Sequence, residues 1–232
     1  MDGDLYAAAG EALAEAAFRS GDFGVAEGLY QRAAAAAGDR AGEARAIGGL
    51  GMTHHYRNIA VLIDGGTVPG DAVDAEEELM RRSLELWRGT DDAAGTGAAL
   101  FGVGLVMQVL RRDWDAAMTY FWSAFGLAEA VADAGDLYGC SEIHRHIGFY
   151  YLVADVRPRE AVRRLDRSLE LREQLGDPRR IPSGLVALGQ AELAAGNRRR
   201  AVELLTRAVA VAREANLHPG RIKDAENALS EA

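Results

Sequence analysis

One pattern of residue sizes recurs along this 232-residue chain and limits what it can fold into. Each copy has an alanine, an aromatic residue or leucine four positions later, and a small residue three positions after that. The copies are Ala26/Tyr30/Ala33, Ala117/Phe121/Ala124, Ala161/Leu165/Ser168 and Ala201/Leu205/Ala208. Residues three and four apart lie on one face of a helix. The recurrence therefore predicts stacked helical repeats.

Small residues also recur at one phase of the helix that precedes each copy. They are Ala14, Gly51, Gly104, Gly148 and Gly189, and Ser83 completes the set of small residues in the second helices. A glycine inside a helix costs about 1 kcal/mol relative to alanine. Its repeated use predicts that the two helices of each pair approach closely at that point.

Helical periodicity extends along the whole chain, and strand signals are almost absent. Turns rich in glycine and aspartate divide the sequence into about eleven helices. We expect an all-α fold over residues 1–232 as one domain. The expected repeats are 3–38, 39–89, 91–134, 136–176 and 178–216, with a capping helix at 219–231.

The repeats resemble those of the tetratricopeptide repeat (TPR) family. The segments that carry the likeness are "GDFGVAEGLYQRA" (21–33), "RDWDAAMTYFWSA" (112–124), "REAVRRLDRS" (159–168) and "GNRRRAVELLTRA" (196–208). The repeat here is longer than the 34 residues usual in that family. The resemblance implies a right-handed α-solenoid of about five helical hairpins. It implies no particular chemistry.

The second repeat is about a dozen residues longer than the others. Its two small residues, Gly51 and Ser83, are 32 positions apart, whereas the equivalent pairs are 19 or 20 apart. The additional residues fall around "IDGGTVPGDAVDAEEE" (63–78). Gly65, Gly66, Pro69 and Gly70 predict an irregular tip, and Asp71 or Asp74 is expected to cap the helix that follows. Residues 64–75 are expected to be either a lid or contact arm, or a passive surface loop.

The resemblance also predicts which side chains line a concave groove. They are Phe18, Met52, His55, Tyr56, Phe101, Leu105, Gln108, Arg145, Phe149 and Gln190. Such an apolar and aromatic groove suits a protein segment or an amphipathic helix. The alternative is a small apolar metabolite, bound or chemically altered in the same groove. Within "GLGMTHHYRNIAV" (49–61), we expect His55 and Tyr56 to face the groove. His54 is expected to be the more buried histidine, and Arg57 and Asn58 are expected to turn outward or toward the additional residues of this repeat.

Candidates for catalysis are few. No nucleophile motif or phosphate loop occurs. His55, Tyr56 and Arg145 are the three candidates that form a loose set, and Asp64 on the additional segment is a more distant one. The histidines lack the spacing of a metal chelate, so no metal site and no cofactor is expected. A repeat scaffold without these motifs is more typical of binding than of catalysis.

Composition restricts the partners and the compartment. The formal net charge of −9 disfavours nucleic acid and anionic membrane as partners. Cys140 is the single cysteine, no signal peptide is evident, and no apolar run is expected to span a bilayer. These features predict a cytoplasmic protein that binds a protein, a peptide or a small apolar ligand.

Overall fold

The computed structural model describes residues 2–130 and 137–232, and these residues form eleven α-helices and no strand. The helices are α1 (Asp2–Glu15), α2 (Gly24–Ala36), α3 (Arg40–Ile63), α4 (Gly70–Arg88), α5 (Ala93–Leu105), α6 (Trp114–Ala130), α7 (Leu137–Val153), α8 (Pro158–Leu175), α9 (Ile181–Ala194), α10 (Arg198–Glu214) and α11 (Pro219–Ser230). Two of them continue into a π-helical turn, α1 through Ala16–Ser20 and α5 through Val106–Arg111. The all-α prediction is confirmed.

The chain divides into two compact units, one made of α1–α6 and the other of α7–α11. Within each unit the helices pack in consecutive pairs, as the repeats predict. Helix α11 packs on α10 and α9 at the end of the second unit, which is the place expected for a cap. One domain over 1–232 stays a prediction, as do the repeat boundaries that fall within 131–136, outside the described residues.

The recurring glycines mark close contacts between paired helices. A Cβ atom placed on Gly148 would lie 2.7 Å from Cγ of Leu165, and one placed on Gly104 would lie 2.5 Å from Cε1 of Phe121. Gly189 meets Leu205 in the same way. The partner in each case is the aromatic residue or leucine of the repeated pattern. The repeated sequence pattern therefore corresponds to the same packing contact in these three hairpins.

The turn of the second hairpin lies where its glycines and Pro69 predict an irregular tip, because α3 continues to Ile63 and α4 begins at Gly70. Of the segment 64–75, residues 64–69 lie outside both helices and 70–75 form the first turns of α4. Whether this segment is a lid or a passive loop stays a prediction. Gly65 ends α3 with a φ of +77°, a conformation that glycine adopts without strain.

Helix α5 and its π-helical turn correct the expectation that no apolar run could span a bilayer. The segment Ala93–Arg111 has 19 residues and a mean hydropathy of 1.7, which suffices by length and composition alone. However, 56% of it is buried inside the fold, between helices of the first unit. A core helix of a repeat protein has the same properties, so this segment is weak support for membrane insertion.

Candidate functional site

The predicted groove residues of the first unit differ in how far solvent reaches them. Phe18, His55, Leu105 and Gln108 are buried, whereas Met52, Tyr56 and Phe101 are half-buried. The structure brings two of them together across neighbouring hairpins. The ring of Phe18, at the end of the first helix, lies 6.5 Å from that of Tyr56 on α3.

His55 belongs to a buried polar network between α3 and α4. Its Nδ1 lies 2.8 Å from Oε1 of Glu76, and Nδ2 of Asn58 donates a hydrogen bond of 2.8 Å to Oε2. The side chain of Glu76 is fully buried, and that of His55 is 6% exposed. Both carboxylate oxygens are satisfied, which offsets the cost of removing this group from water. The network holds the Glu76 carboxylate next to Nδ1 of the His55 ring.

This network corrects one expectation about the same stretch and narrows another. His54 is the more exposed histidine and His55 the more buried one, the reverse of the prediction. Asn58 does not turn outward but toward α4, where it donates to Glu76 just after the additional residues 64–75. The reason is Glu76, because a buried carboxylate on α4 draws the polar side chains of one α3 face into the helix interface.

His54 lies instead in a surface cluster with α2. Its Nε2 is 3.8 Å from Oε1 of Glu27, and Arg57 pairs with Oε2 of the same carboxylate. Partial burial, and then the nearby Arg57 guanidinium, lower the pKa of His54. The cluster links the first two hairpins at their surface.

In the second unit, the groove candidates are Arg145 and Phe149 on α7 and Gln190 on α9. The guanidinium of Arg145 lies over the Phe149 ring at 4.7 Å and donates a 2.7 Å hydrogen bond to the carbonyl oxygen of Ser183. Gln190 is exposed. Arg145 therefore has a structural role at the start of α9, in addition to any contact with a ligand.

Besides Glu76 in the first unit, the structure contains a buried charge in the second unit that the sequence did not reveal. The Arg172 side chain is buried, pairs with Glu142, and donates to the Ser183 hydroxyl at 2.7 Å and to the carbonyl oxygen of Arg180 at 2.8 Å. The pairing joins α7, α8 and α9. No local signal reveals it, because Arg172 lies in a charged helix and its partners are 8 to 30 residues away along the chain.

The described residues contain no group of three or more metal-ligating side chains. Of the three catalytic candidates, His55 is buried against Glu76, while Tyr56 and Arg145 lie in different units. Their roles stay predictions.

Solved structures with similar folds support this architecture. BtubC (BKLC) from P. vanneervenii matches with a TM-score of 0.60 at 18% identity, over 84% of this chain and 75% of that one. A Podosopora anserina putative kinesin light chain with nearly identical TPR-like repeats matches with a TM-score of 0.52 at 15% identity, over 91% and 94%. The fold is a TPR-like helical repeat.

The apo form of RapI shows the same TPR-like fold, with a TM-score of 0.60, 15% identity, and coverage of 92% of this chain and 72% of RapI. No protein-family model and no curated protein matches the sequence. At these identities the similarity establishes the TPR-like fold alone. Any argument about function has to rest on the side chains of this chain.

Proposed function

We propose that this chain is a TPR-like scaffold for protein interaction, and that it binds an amphipathic polypeptide segment along the first helices of the hairpins within each unit. The observation that carries the proposal is a set of half-buried aromatic side chains on those helices. Tyr56 and Phe101 lie in the first unit and Phe149 in the second. Large amphipathic or aromatic side chains left partly open to solvent are typical of binding surfaces.

Polar groups beside the aromatic side chains favour an amphipathic segment over a wholly apolar one. Arg145 lies over Phe149, and Gln190 on the next first helix is exposed. A bound helix could place apolar residues on the rings and hydrogen-bonding residues against these edges. Specificity would then come from the polar contacts and affinity from the rings.

A small apolar ligand, or catalysis on it, is the alternative. The observation in its favour is the His55–Glu76 pair, because a carboxylate that orients an imidazole is common in acid–base sites. Two observations weigh against it. His55 is almost inaccessible, and half of the residues expected to form a lid, 70–75, are the start of α4.

The test compares copurification from the native host between matched variants. Tyr56→Ala and Phe149→Ala remove half-buried rings of the first helices. Val25→Ala and Val202→Ala remove exposed apolar side chains of the second helices α2 and α10. Peptides and small molecules that copurify are identified by mass spectrometry, and folding is checked by circular dichroism.

We expect one polypeptide to be retained by the parent and by both valine variants, and lost from both ring variants. Retention of that polypeptide by both ring variants would disprove the proposal. A small molecule retained in its place, and lost on the same two substitutions, would establish the alternative.

A further inference from the structure

The two units carry very different charge. Residues 1–131 have ten arginines and no lysine against twenty Asp and Glu, a net charge of −10. Residues 132–232 have sixteen Lys and Arg against fifteen Asp and Glu, a net charge of +1. A charge asymmetry of this size favours association between unlike halves of separate molecules.

The second unit exposes apolar side chains where α7 turns into α8. Val153 is 56% exposed and Val156 is 69% exposed. Val156 also has a φ of +49°, a left-handed conformation that a β-branched residue rarely adopts. The equivalent turns of three other hairpins use glycine there, namely Gly21, Gly65 and Gly196, and the turn between α5 and α6 has Arg112 at a φ of +57°. The fold therefore retains an exposed and strained valine where glycine would be easier.

Arginines surround this turn and the next one at the same end of the second unit. Arg159 follows Pro158 at the start of α8, and Arg198, Arg199 and Arg200 open α10, which has no acidic residue in its first turn. Positive side chains at the positive end of a helix are unfavourable for the isolated fold. Within 2–130 and 137–232, no ion pair is found for Arg159, Arg198 or Arg199. We call Val153, Val156, Arg159, Arg198 and Arg199 the basic edge.

The first unit has a surface with the opposite charge at the turn from α3 to α4. Ile63 is 45% exposed and is followed by Asp64 and Asp71, both exposed. The sequence from 58 to 80 contains six acidic residues and no Lys, Arg or His. Neither Asp64 nor Asp71 forms an ion pair with any residue that the structure describes. We call Ile63, Asp64 and Asp71 the acidic edge.

We propose that the basic edge of one molecule binds the acidic edge of a second copy of this chain. Val153 and Val156 would pack against Ile63, while Arg159, Arg198 and Arg199 would face Asp64 and Asp71. The two acidic residues beside the basic edge, Asp155 and Glu160, are paired with Arg157 and Arg163, so the remaining charge there is positive. Each edge therefore offers apolar side chains next to an excess of one charge, and the two excess charges have opposite signs. The strain at Val156 and the positive charge at the start of α10 are then compensated in the assembly.

Sedimentation velocity of the full chain over a range of protein concentrations tests the proposal. Association should be strong at about 0.01 M salt and weak at about 1 M, because the Debye length falls from about 30 Å to about 3 Å. A chain that stays monomeric at every concentration in low salt would overturn the proposal.

The charge variant is Arg198→Glu with Arg199→Glu, and its matched control is Arg32→Glu with Arg88→Glu. All four arginines are exposed helix residues, and both pairs change the net charge equally. The first pair should raise the dissociation constant about tenfold or more, and the control pair should change it much less. Equal effects of the two pairs would show a net-charge effect and overturn the proposal.

Two further variants separate folding from association. Val156→Gly relieves the strained φ and should raise the melting temperature, yet it should weaken association, because the apolar contact is lost. Asp64→Arg with Asp71→Arg should also abolish self-association. Mixing that variant with Arg198→Glu/Arg199→Glu should restore a heterotypic complex. If Val156→Gly associates as tightly as the parent, or the mixture fails to associate, the two edges do not meet.

Discussion

Nδ1 of His55 on α3 lies 2.8 Å from Oε1 of the fully buried Glu76 on α4. This contact, with the hydrogen bond from Asn58 to the other carboxylate oxygen, joins the two longest helices of the chain. Removing one partner from a buried charged network costs more than the pair contributes, because the remaining charge stays buried without compensation.

We therefore expect Glu76→Leu to lower the free energy of unfolding by about 3–5 kcal/mol, through the loss of partners for His55 and Asn58. Asn58→Ala should cost about 1–3 kcal/mol. Glu78→Leu, an exposed site two residues along α4, is the control and should stay within about 0.5 kcal/mol. Urea denaturation measures all three. A Glu76 variant as stable as the Glu78 variant would show that the network contributes nothing.

The repeated glycines give a second prediction. In an open helical position, Gly→Ala should stabilise by about 0.5–1 kcal/mol, and Gly28 and Gly126 offer such positions, because no atom lies within 4 Å of an added Cβ. At Gly104 and Gly148 the same change forces the added methyl to within 2.5–2.7 Å of Phe121 or Leu165. There we expect destabilisation of about 1–3 kcal/mol.

Thermal denaturation of the four Gly→Ala variants measures the difference. The two pairs should move the melting temperature in opposite directions. Stabilisation at all four positions would mean that the paired helices have room to separate, and that the small residues have some other cause.

Much of the fold was predictable because it rests on local patterns. The Ala-x3-large-x2-small pattern and the recurring glycines define contacts within one hairpin, so spacing alone reveals them. The turn Gly-Asp residues also mark helix starts correctly, as with Asp39, whose side chain accepts a hydrogen bond from the backbone N–H of Gly42.

The site was less predictable, since it depends on contacts between distant residues. Glu76 reads as one of three glutamates in an exposed run, yet it is buried and sets the orientations of His55 and Asn58. Likewise, the extent of α4 did not follow from the glycines and the proline before it. Residues 70–75 of the expected lid or loop form the start of α4, because extending that helix satisfies backbone hydrogen bonds that a loop would leave to water.

A third prediction concerns pH. Burial, and then the guanidinium groups of Arg164 and Arg167, lower the pKa of His144 from its ordinary value of 6.5 to about 4. Between those two values the unfolded chain takes up a proton at His144 that the folded chain does not. Lowering the pH through this window therefore favours unfolding. Above pH 6.5 the histidine is neutral in both the folded and the unfolded chain, so this destabilising effect is absent.

The measurement is the free energy of unfolding of the parent and of His144→Asn at several pH values between 7 and 4. Carboxylates titrate in both proteins, so the difference between the two curves isolates the histidine. The parent should lose more stability than the variant as the pH falls. Parallel curves would show that His144 has no depressed pKa in the folded protein.

The last prediction concerns the helix at the end of the second unit. Ala225 and Ala228 of α11 are buried in the core of that unit with Leu204 and Leu205 of α10. Deleting 219–232 should expose this apolar surface and lower both the melting temperature and the solubility. The point variant Ala225→Asp should have the same direction of effect, because it places an unpaired charge in the core. Lys223→Asp, an exposed site on the same helix, is the matched control and should leave the melting temperature nearly unchanged. If the deletion variant and Ala225→Asp both have the melting temperature of the parent, α11 does not act as a cap and the last hairpin is stable without it.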